Sequence, residues 1–180
     1  MNPEKVIRQF QAYKRLGETA IGRMSDAQLH QEPAAGSNSV AVIVRHLHGN
    51  MLSRWTEFLT TDGEKSWRRR DEEFEDDFPP REELMRRWNE GWDCLFTALN
   101  KLHEADLQRT VWIREEAHSA EEAIHRQMMH YAYHIGQLVY LSKWYVGPGW
   151  ESLSIPRGGS ADFNRVIASR GVGQPTQEGQ

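Results

Sequence analysis

The feature that most constrains the fold of this chain is a row of apolar residues that recur every three or four positions after Pro79-Pro80. The row consists of Leu84, Trp88, Trp92, Leu95, Leu99 and Leu102. This spacing places the side chains on one face of an α-helix, and such a face is stable when it is buried against other helices. The pattern therefore predicts a bundle helix that begins directly after the two prolines.

The same kind of periodicity predicts three more helices. They are a first helix over 3–24, a second that starts at Asn38 or Ser39 and ends near Leu59, and a last from Ala120 to about Val146. Ser119 and Glu122 form an S-x-x-E capping box at the start of the last helix. Helices of this length and pattern predict an all-α protein that folds as a four-helix bundle.

Three segments lie outside these helices. Residues 60–79 form a polar connection that is long for a bundle, and such connections are often functional loops or crossovers. The alternating stretch Arg109 to Arg114 predicts a short extended piece. The C-terminal part keeps Trp150 and Phe163, so we expect it to pack on the bundle. The chain is predicted to be one domain over 1–170 with a flexible tail over 171–180.

Composition and charge exclude several functional classes. Cys94 is the only cysteine, which excludes an intrachain disulfide and a CxxC zinc site. The basic run from Trp67 to Asp71 is followed by acidic residues, so we interpret it as a solvated loop and predict no nucleic-acid binding. The N-terminus lacks the apolar stretch of a signal peptide, and no aliphatic run is long enough to cross a membrane. These observations predict a cytoplasmic protein, and its high aromatic content favours a homodimer.

The strongest functional signal is a histidine pair on the last predicted helix. His130 and His134 are four residues apart, so their side chains are neighbours on one helix face. Gln137 and Leu141 fall on the same face, which indicates that the pair points toward the bundle interior. Two such imidazoles can share one metal ion, although ordinary hydrogen-bonded histidines can show the same spacing.

A stable metal site needs a third ligand, and the second helix offers two candidates. A helical wheel places His48 near the middle of the apolar face, whereas His46 falls on the opposite side with Asn50 and Ser53. Periodicity alone therefore favours His48. The residue after His130 is Tyr131, so the HExxH pattern of metalloproteases is absent.

Two stretches resemble the DinB/YfiT-like superfamily. They are SVAVIVRHL over Ser39–Leu47 and HYAYHIGQ over His130–Gln137. The chain is also similar to a narrower branch of that superfamily, a family of unknown function called DUF1572. The stretches that carry this second resemblance are HLHGNMLSRWTEFLTTDGEKSWRRRDEEF, HYAYHIGQLVY and SLSIPRGGSADFN. Together they reach from about Asn38 to Asn164.

The resemblance implies a four-helix bundle that holds one divalent metal ion through His46, His130 and His134. It selects His46 because this histidine is directly followed by Leu47, as in the superfamily pattern, and His48 stays the stated alternative. Zinc and nickel both suit imidazole ligands. Residues expected to line a pocket or to support the ligands are His48, Asn50, Trp55, Tyr133, Gln137 and Arg157.

The resemblance further implies a possible activity, because superfamily members include thiol-dependent transferases and isomerases. The expected function is that of a metal-dependent transferase or hydrolase that uses a low-molecular-weight thiol or water at the open metal position. The alternative is a non-catalytic, stress-associated protein in which the metal is structural or vestigial.

Overall fold

The computed structural model of the protein describes residues 3–169, and these residues are mostly helical. In chain order, the helices are α1 (Pro3–Gly22), α2 (Asp26–Leu29), α3 (Val40–Trp55), α4 (Arg81–Leu99), α5 (Ala120–Val146) and α6 (Ser160–Ser169). Two strands, β1 (Thr110–Ile113) and β2 (Glu116–Ser119), pair in antiparallel fashion between α4 and α5. Short 3₁₀ turns lie at Asp71–Phe74, Glu104–Gln108 and Gly147–Gly149.

The long predicted helices are confirmed, and their starts follow the capping residues. Ser39 caps α3 by accepting a hydrogen bond from the amide of Val42 at 3.2 Å. At the start of α5, Ser119 Oγ accepts from the Glu122 amide at 3.2 Å, and Glu122 Oε2 accepts from the Ser119 amide at 2.8 Å. These reciprocal bonds satisfy amides that have no partner inside the helix.

Helix α3 is about one turn shorter than predicted. It ends at Trp55 because Thr56 is extended and Glu57 has a φ of 51°, which is incompatible with a continuing right-handed helix. The carbonyl oxygen of Glu57 then accepts the amides of Thr60 and Thr61 in a compact turn. The predicted end near Leu59 was therefore wrong, since the apolar residues Phe58 and Leu59 belong to the turn that follows.

One aromatic cluster joins the four long helices. Phe10 of α1, Trp55 of α3, Trp92 of α4 and Tyr131 of α5 are all buried. The ring centroids of Phe10 lie 6.3 Å from Trp55, 6.4 Å from Trp92 and 5.9 Å from Tyr131. Edge-on and tilted contacts at these distances are favourable for aromatic rings. The cluster fixes the positions of α3 and α5, the two helices that carry the candidate histidines.

The β-hairpin is the exception to the all-α prediction, and its β1 strand confirms the extended piece expected near 109–114. Its turn residues, Arg114 and Glu115, have φ values of 56° and 65°. Non-glycine residues rarely adopt this conformation. Asp62 stabilises the turn, since its carboxylate accepts the amides of Arg114 at 2.9 Å and Glu115 at 2.8 Å. The hairpin is thus attached to the long connection between α3 and α4.

The chain divides into two compact units, one up to Val146 and one from Gly147 onward. The second unit contains the Gly147–Gly149 turn, an exposed turn at Arg157 and Gly158, and α6. The packing expected of the C-terminal part on the bundle stays a prediction, and the predicted tail 171–180 lies outside the described residues. Among the helices that the structure describes, none is long and apolar enough to span a membrane.

Candidate metal centre

The polar face of α3 is buried under the long connection rather than exposed to solvent. His46, Asn50, Ser53 and Arg54 are all buried. The 3₁₀ turn Asp71–Phe74 packs against α3, and the Gly63 carbonyl accepts Ser53 Oγ at 2.7 Å. This cover explains why a helical wheel misplaces the third histidine, since the wheel assumes that the polar face of a helix meets water.

Three histidine side chains meet between α3 and α5. His46 Nε2 lies 3.2 Å from His130 Nε2, and His134 Nε2 lies 3.0 Å from the same atom. Among the described residues, these three form the one group of metal-ligating side chains whose ligand atoms all lie within 4.8 Å of one another. His46 and His134 are buried and His130 is half-buried. The third histidine is therefore His46 and not His48.

The outer nitrogens of two of these rings are held by acceptors. His46 Nδ1 lies 2.9 Å from Glu73 Oε2, and His134 Nδ1 lies 2.8 Å from Gln137 Oε1. A carboxylate and an amide oxygen can only accept, so each ring carries a proton on Nδ1 and turns its Nε2 toward the other histidines. This is the arrangement that orients metal-ligating histidines in proteins.

The three Nε2 atoms fit a cation better than they fit one another. His130 Nε2 can donate a single hydrogen bond, either to His46 or to His134. The other close contact is then left without a hydrogen bond, because the single N–H is already used. Two nitrogens that bind one ion at about 2.0–2.1 Å, at angles near 90–109°, lie roughly 2.9–3.4 Å apart. The observed separations of 3.0 and 3.2 Å match that range.

The neutral state of two of the histidines also favours binding of a metal ion. Burial, together with the neighbouring His134 and His46 rings, lowers the pKa of His130 to about 3. Burial likewise lowers the pKa of His134 to about 4, against the opposing effect of the Gln137 hydrogen bond. Both rings are therefore neutral at pH 7, and they can bind a metal ion without first losing a proton.

Glu73 links the candidate ligands to the long connection. Arg68 binds it through two contacts, Nε to Oε1 at 2.7 Å and Nη2 to Oε2 at 2.8 Å. Burial opposes ionisation of Glu73, but the hydrogen bonds from His46 and Arg68 hold its pKa below the usual range. A carboxylate that accepts from a metal-ligating histidine raises the basicity of that ligand. Sequence reasoning missed Glu73 and Arg68, and the basic run that we interpreted as a solvated loop contains this buried arginine.

Gly49 makes room for Glu73. A Cβ on Gly49 would overlap Glu73 Oε1 and would lie 2.7 Å from Glu73 Cδ. The glycine therefore lets the carboxylate pass over α3 and reach His46, which lies one turn earlier on the helix. The sequence shows a glycine next to His48, but nothing in its local pattern indicates a residue more than twenty positions away as the reason.

The other predicted site residues have different surroundings. His48 Nε2 contacts Glu90 at 3.0 Å, away from the three clustered histidines. Trp55 donates to the Tyr131 hydroxyl at 2.9 Å, and this hydroxyl donates to Asn50 Oδ1 at 3.1 Å. Trp55 thus belongs to the core and orients Asn50 indirectly.

Two predicted residues of α5, Tyr133 and Gln137, share a cavity. It measures about 550 Å³, and its lining also includes Ile43 and Tyr140. The exposed Tyr133 ring lies 4.9 Å from the ring of His134. Arg157 lies in the second unit, so its predicted approach to the site stays a prediction.

A smaller cavity adjoins the histidines themselves. It measures about 240 Å³, and its polar lining is His46, Asn50, Arg54, Arg68, Arg70, Arg114, Arg126, Gln127 and His130. The arginines come from α3, the long connection, the hairpin turn and α5. Sequence reasoning did not find this cavity, because its residues are scattered over more than seventy positions.

Residues 3–159 match a protein family that is described as "Protein of unknown function (DUF1572)". The chain belongs to this family. The match covers most of the chain, including all three clustered histidines, Glu73 and the hairpin. Neither the curated proteins nor the solved structures yield a match to it.

We predict that Gly49→Ala changes the tautomer of His46. The added methyl displaces the Glu73 carboxylate, so the Nδ1 proton of His46 loses its acceptor and the ring gains an Nε2-protonated population. ¹⁵N NMR of the imidazole nitrogens in metal-free protein measures this directly. His48 and His30 serve as internal controls, because their carboxylate contacts, Glu90 and Asp76, do not involve Gly49. An unchanged His46 spectrum would contradict the assigned role of Gly49.

Proposed function

We propose that this protein is a DinB-like four-helix bundle that binds one divalent transition metal, zinc or nickel, through His46, His130 and His134. The observation that carries the proposal is the convergence of three Nε2 atoms, two of them with outer nitrogens held by Glu73 and Gln137. Four long helices around one aromatic core support the bundle assignment.

The second part of the proposal is catalysis on a small molecule. A divalent ion held by three neutral imidazoles keeps its Lewis acidity and leaves positions open for water or for the thiolate of a low-molecular-weight thiol. His46 and His130 line the 240 Å³ cavity, so a reactant there lies next to the ligands. The 550 Å³ cavity that contains Tyr133 and Gln137 offers further room for a second reactant. We therefore propose a metal-dependent transferase or hydrolase.

A non-catalytic role for the metal is the second candidate. The observation that favours it is that the site joins three separate segments, α3, α5 and the turn at Glu73. An ion bound there would hold the long connection against the helices. Because the aromatic core contains none of the three histidines, we nevertheless favour a metal site that the fold can form without the ion.

The metal proposal predicts about one equivalent of bound zinc or nickel in protein that is purified without a histidine tag or nickel resin and then loaded and desalted. Replacing His46, His130 or His134 by alanine removes a proposed ligand. The affinity for the metal is therefore expected to fall by more than the roughly 10–100-fold that is typical when only a hydrogen-bond partner of a ligand is lost. Elemental analysis and competition with a chelating dye measure both quantities. His48→Ala and His125→Ala are matched controls and retain the metal. Less than about a tenth of an equivalent in loaded wild-type protein would contradict the proposal.

Removing the metal is predicted to leave the fold intact. Far-UV circular dichroism stays unchanged after chelation, and the melting temperature falls only by the mass-action contribution of the ligand. At a free metal concentration of about 100 times Kd this contribution is about 2.7 kcal/mol, or roughly 5–10 °C for a chain of this size. Loss of helical signal at 25 °C on chelation would instead support the structural role.

The catalytic proposal predicts metal-dependent turnover with a thiol or with water. Zinc- or nickel-loaded protein is offered glutathione, bacillithiol or mycothiol together with a panel of electrophiles, and loss of free thiol is followed. Hydrolysis is measured on the same panel without a thiol. Turnover disappears on chelation and in His46→Ala, whereas His125→Ala keeps it. Metal-loaded protein that is inactive across the whole panel would exclude the transferase version.

A further inference from the structure

The cavity beside the histidines carries an unusual excess of positive charge. Arg54, Arg68, Arg70, Arg114 and Arg126 all line it, within about 240 Å³. Like charges brought this close repel one another unless anions lie between them. Carboxylates of the chain balance part of this positive charge. The positive charge that they leave unbalanced indicates what the cavity can bind.

One buried carboxylate, Glu73, and one half-buried carboxylate, Glu64, balance the charges of Arg54 and Arg68. Arg68 is paired with Glu73 at 2.7 Å and with Glu64 at 3.2 Å, and Arg54 is paired with Glu64 at 3.2 Å. These contacts place two negative charges against two positive ones. Neutralised groups of this kind hold the wall of the cavity in place and add little net charge to it.

The other three arginines meet carboxylates only at longer distances. Arg114 Nε lies 3.4 Å from Glu64, which Arg54 and Arg68 already share. Arg70 and Arg126 approach Asp71 and Glu116 at 3.8 and 3.9 Å, and all three arginine side chains are about half exposed. Exposed pairs at such distances contribute little. The guanidinium groups of Arg114 and Arg126 are therefore able to turn toward an anion in the cavity, whereas Arg70 also lies over the Phe74 ring at 4.9 Å.

The polar lining shows a second sign of an absent partner. Gln127 is 4% exposed and Arg54 is 7% exposed, and both line the cavity. Within the described residues, neither Gln127 Oε1 nor Arg54 Nε has a hydrogen-bond partner. Buried polar atoms nearly always have one. Arg54 Nε is a donor that suits an oxyanion, whereas Gln127 Oε1 is an acceptor and needs a donor such as water.

The hairpin turn places Arg114 in the lining of this cavity. Arg114 occupies the left-handed conformation that glycine would adopt more easily, and the Asp62 carboxylate holds its amide. The amide of Gly63 donates to the Trp112 carbonyl at 2.7 Å and so attaches the same strand to the connection above α3. Strained backbone that is held by several contacts is typical of binding sites.

We propose that this arginine cavity binds the oxyanion group, phosphoryl or carboxylate, of the small molecule on which the protein acts. The inference rests on the proposed function for the part that places the reactive end of that molecule at the histidines. Arginine recognises both groups through paired N–H donors. The volume suits one such group with a few attached atoms, and it does not admit a nucleic-acid strand.

The test is a titration of metal-free protein with inorganic phosphate, glycerol phosphate and succinate at low ionic strength. Binding is measured by calorimetry and by NMR of the arginine Nε–H signals. The variant is Arg114→Gln with Arg126→Gln, both at half-exposed positions. The control is Arg8→Gln with Arg15→Gln on α1, which changes the net charge equally but lies outside the cavity. The expected result is saturable binding that weakens about tenfold or more in the cavity variant, that persists in the control, and that weakens with added salt.

The relative affinities for glycerol phosphate and succinate then identify the source of the oxyanion. Zinc-loaded protein binds the preferred anion more tightly, because the ion adds positive charge next to the arginines. If zinc does not bind, the proposed function fails while the metal-free titration still decides the anion site. Equal binding by the cavity variant and wild type would overturn the inference, as would duplex DNA that displaces the anion.

Discussion

The buried chain of contacts from Arg68 through Glu73 to His46 is the interaction on which the site depends. Arg68 is almost fully buried and its charge is matched by Glu73, so both ions can lie against α3 at acceptable cost. With its charge fixed there, Glu73 accepts a hydrogen bond from His46 Nδ1–H, so that Nε2 faces α5. Gly49 leaves the space that the Glu73 carboxylate occupies, and the segment 56–79 covers the polar face of α3. A single charged contact thus determines the orientation of the α3 histidine.

The aromatic core and the candidate site lie on different sides of the same helices, and only the core is needed to hold the helices together. Phe10, Trp55, Trp92 and Tyr131 hold the helices together without using any of the three histidines. Tyr131 connects the two sides, because it takes a hydrogen bond from Trp55 in the core and donates one to Asn50 at the cavity. The core therefore fixes how far α3 and α5 are apart, and with it the spacing of the three imidazoles.

The helices and one half of the site could be predicted from the sequence, because both depend on local spacing. Apolar periodicity gives the long helices, and four-residue spacing gives the His130–His134 pair. The third histidine of the cluster, His46, could not be derived in this way. The polar face of α3 looks solvent-exposed in the sequence, and only the long connection, which has no periodicity of its own, buries it. For the same reason Glu73 and the cavity arginines were missed, since their proximity is created by a loop and a hairpin turn. Family resemblance selected His46 because it carries this tertiary information.

The charges around the histidines are consistent with a centre that acts on anions. A site meant only to hold a cation is stabilised by carboxylates beside it, yet the nearest carboxylate, Glu73, is matched by Arg68, and the adjoining cavity is rich in arginine. Arginines repel a free cation, so they weaken metal binding, and their presence requires a compensating benefit. An anionic reactant would supply one, because both a bound ion and the guanidinium groups would attract it. The arginines make binding of a metal ion alone less favourable, but they favour binding of the ion together with an anion. This supports the proposed reactive centre over a purely structural metal site.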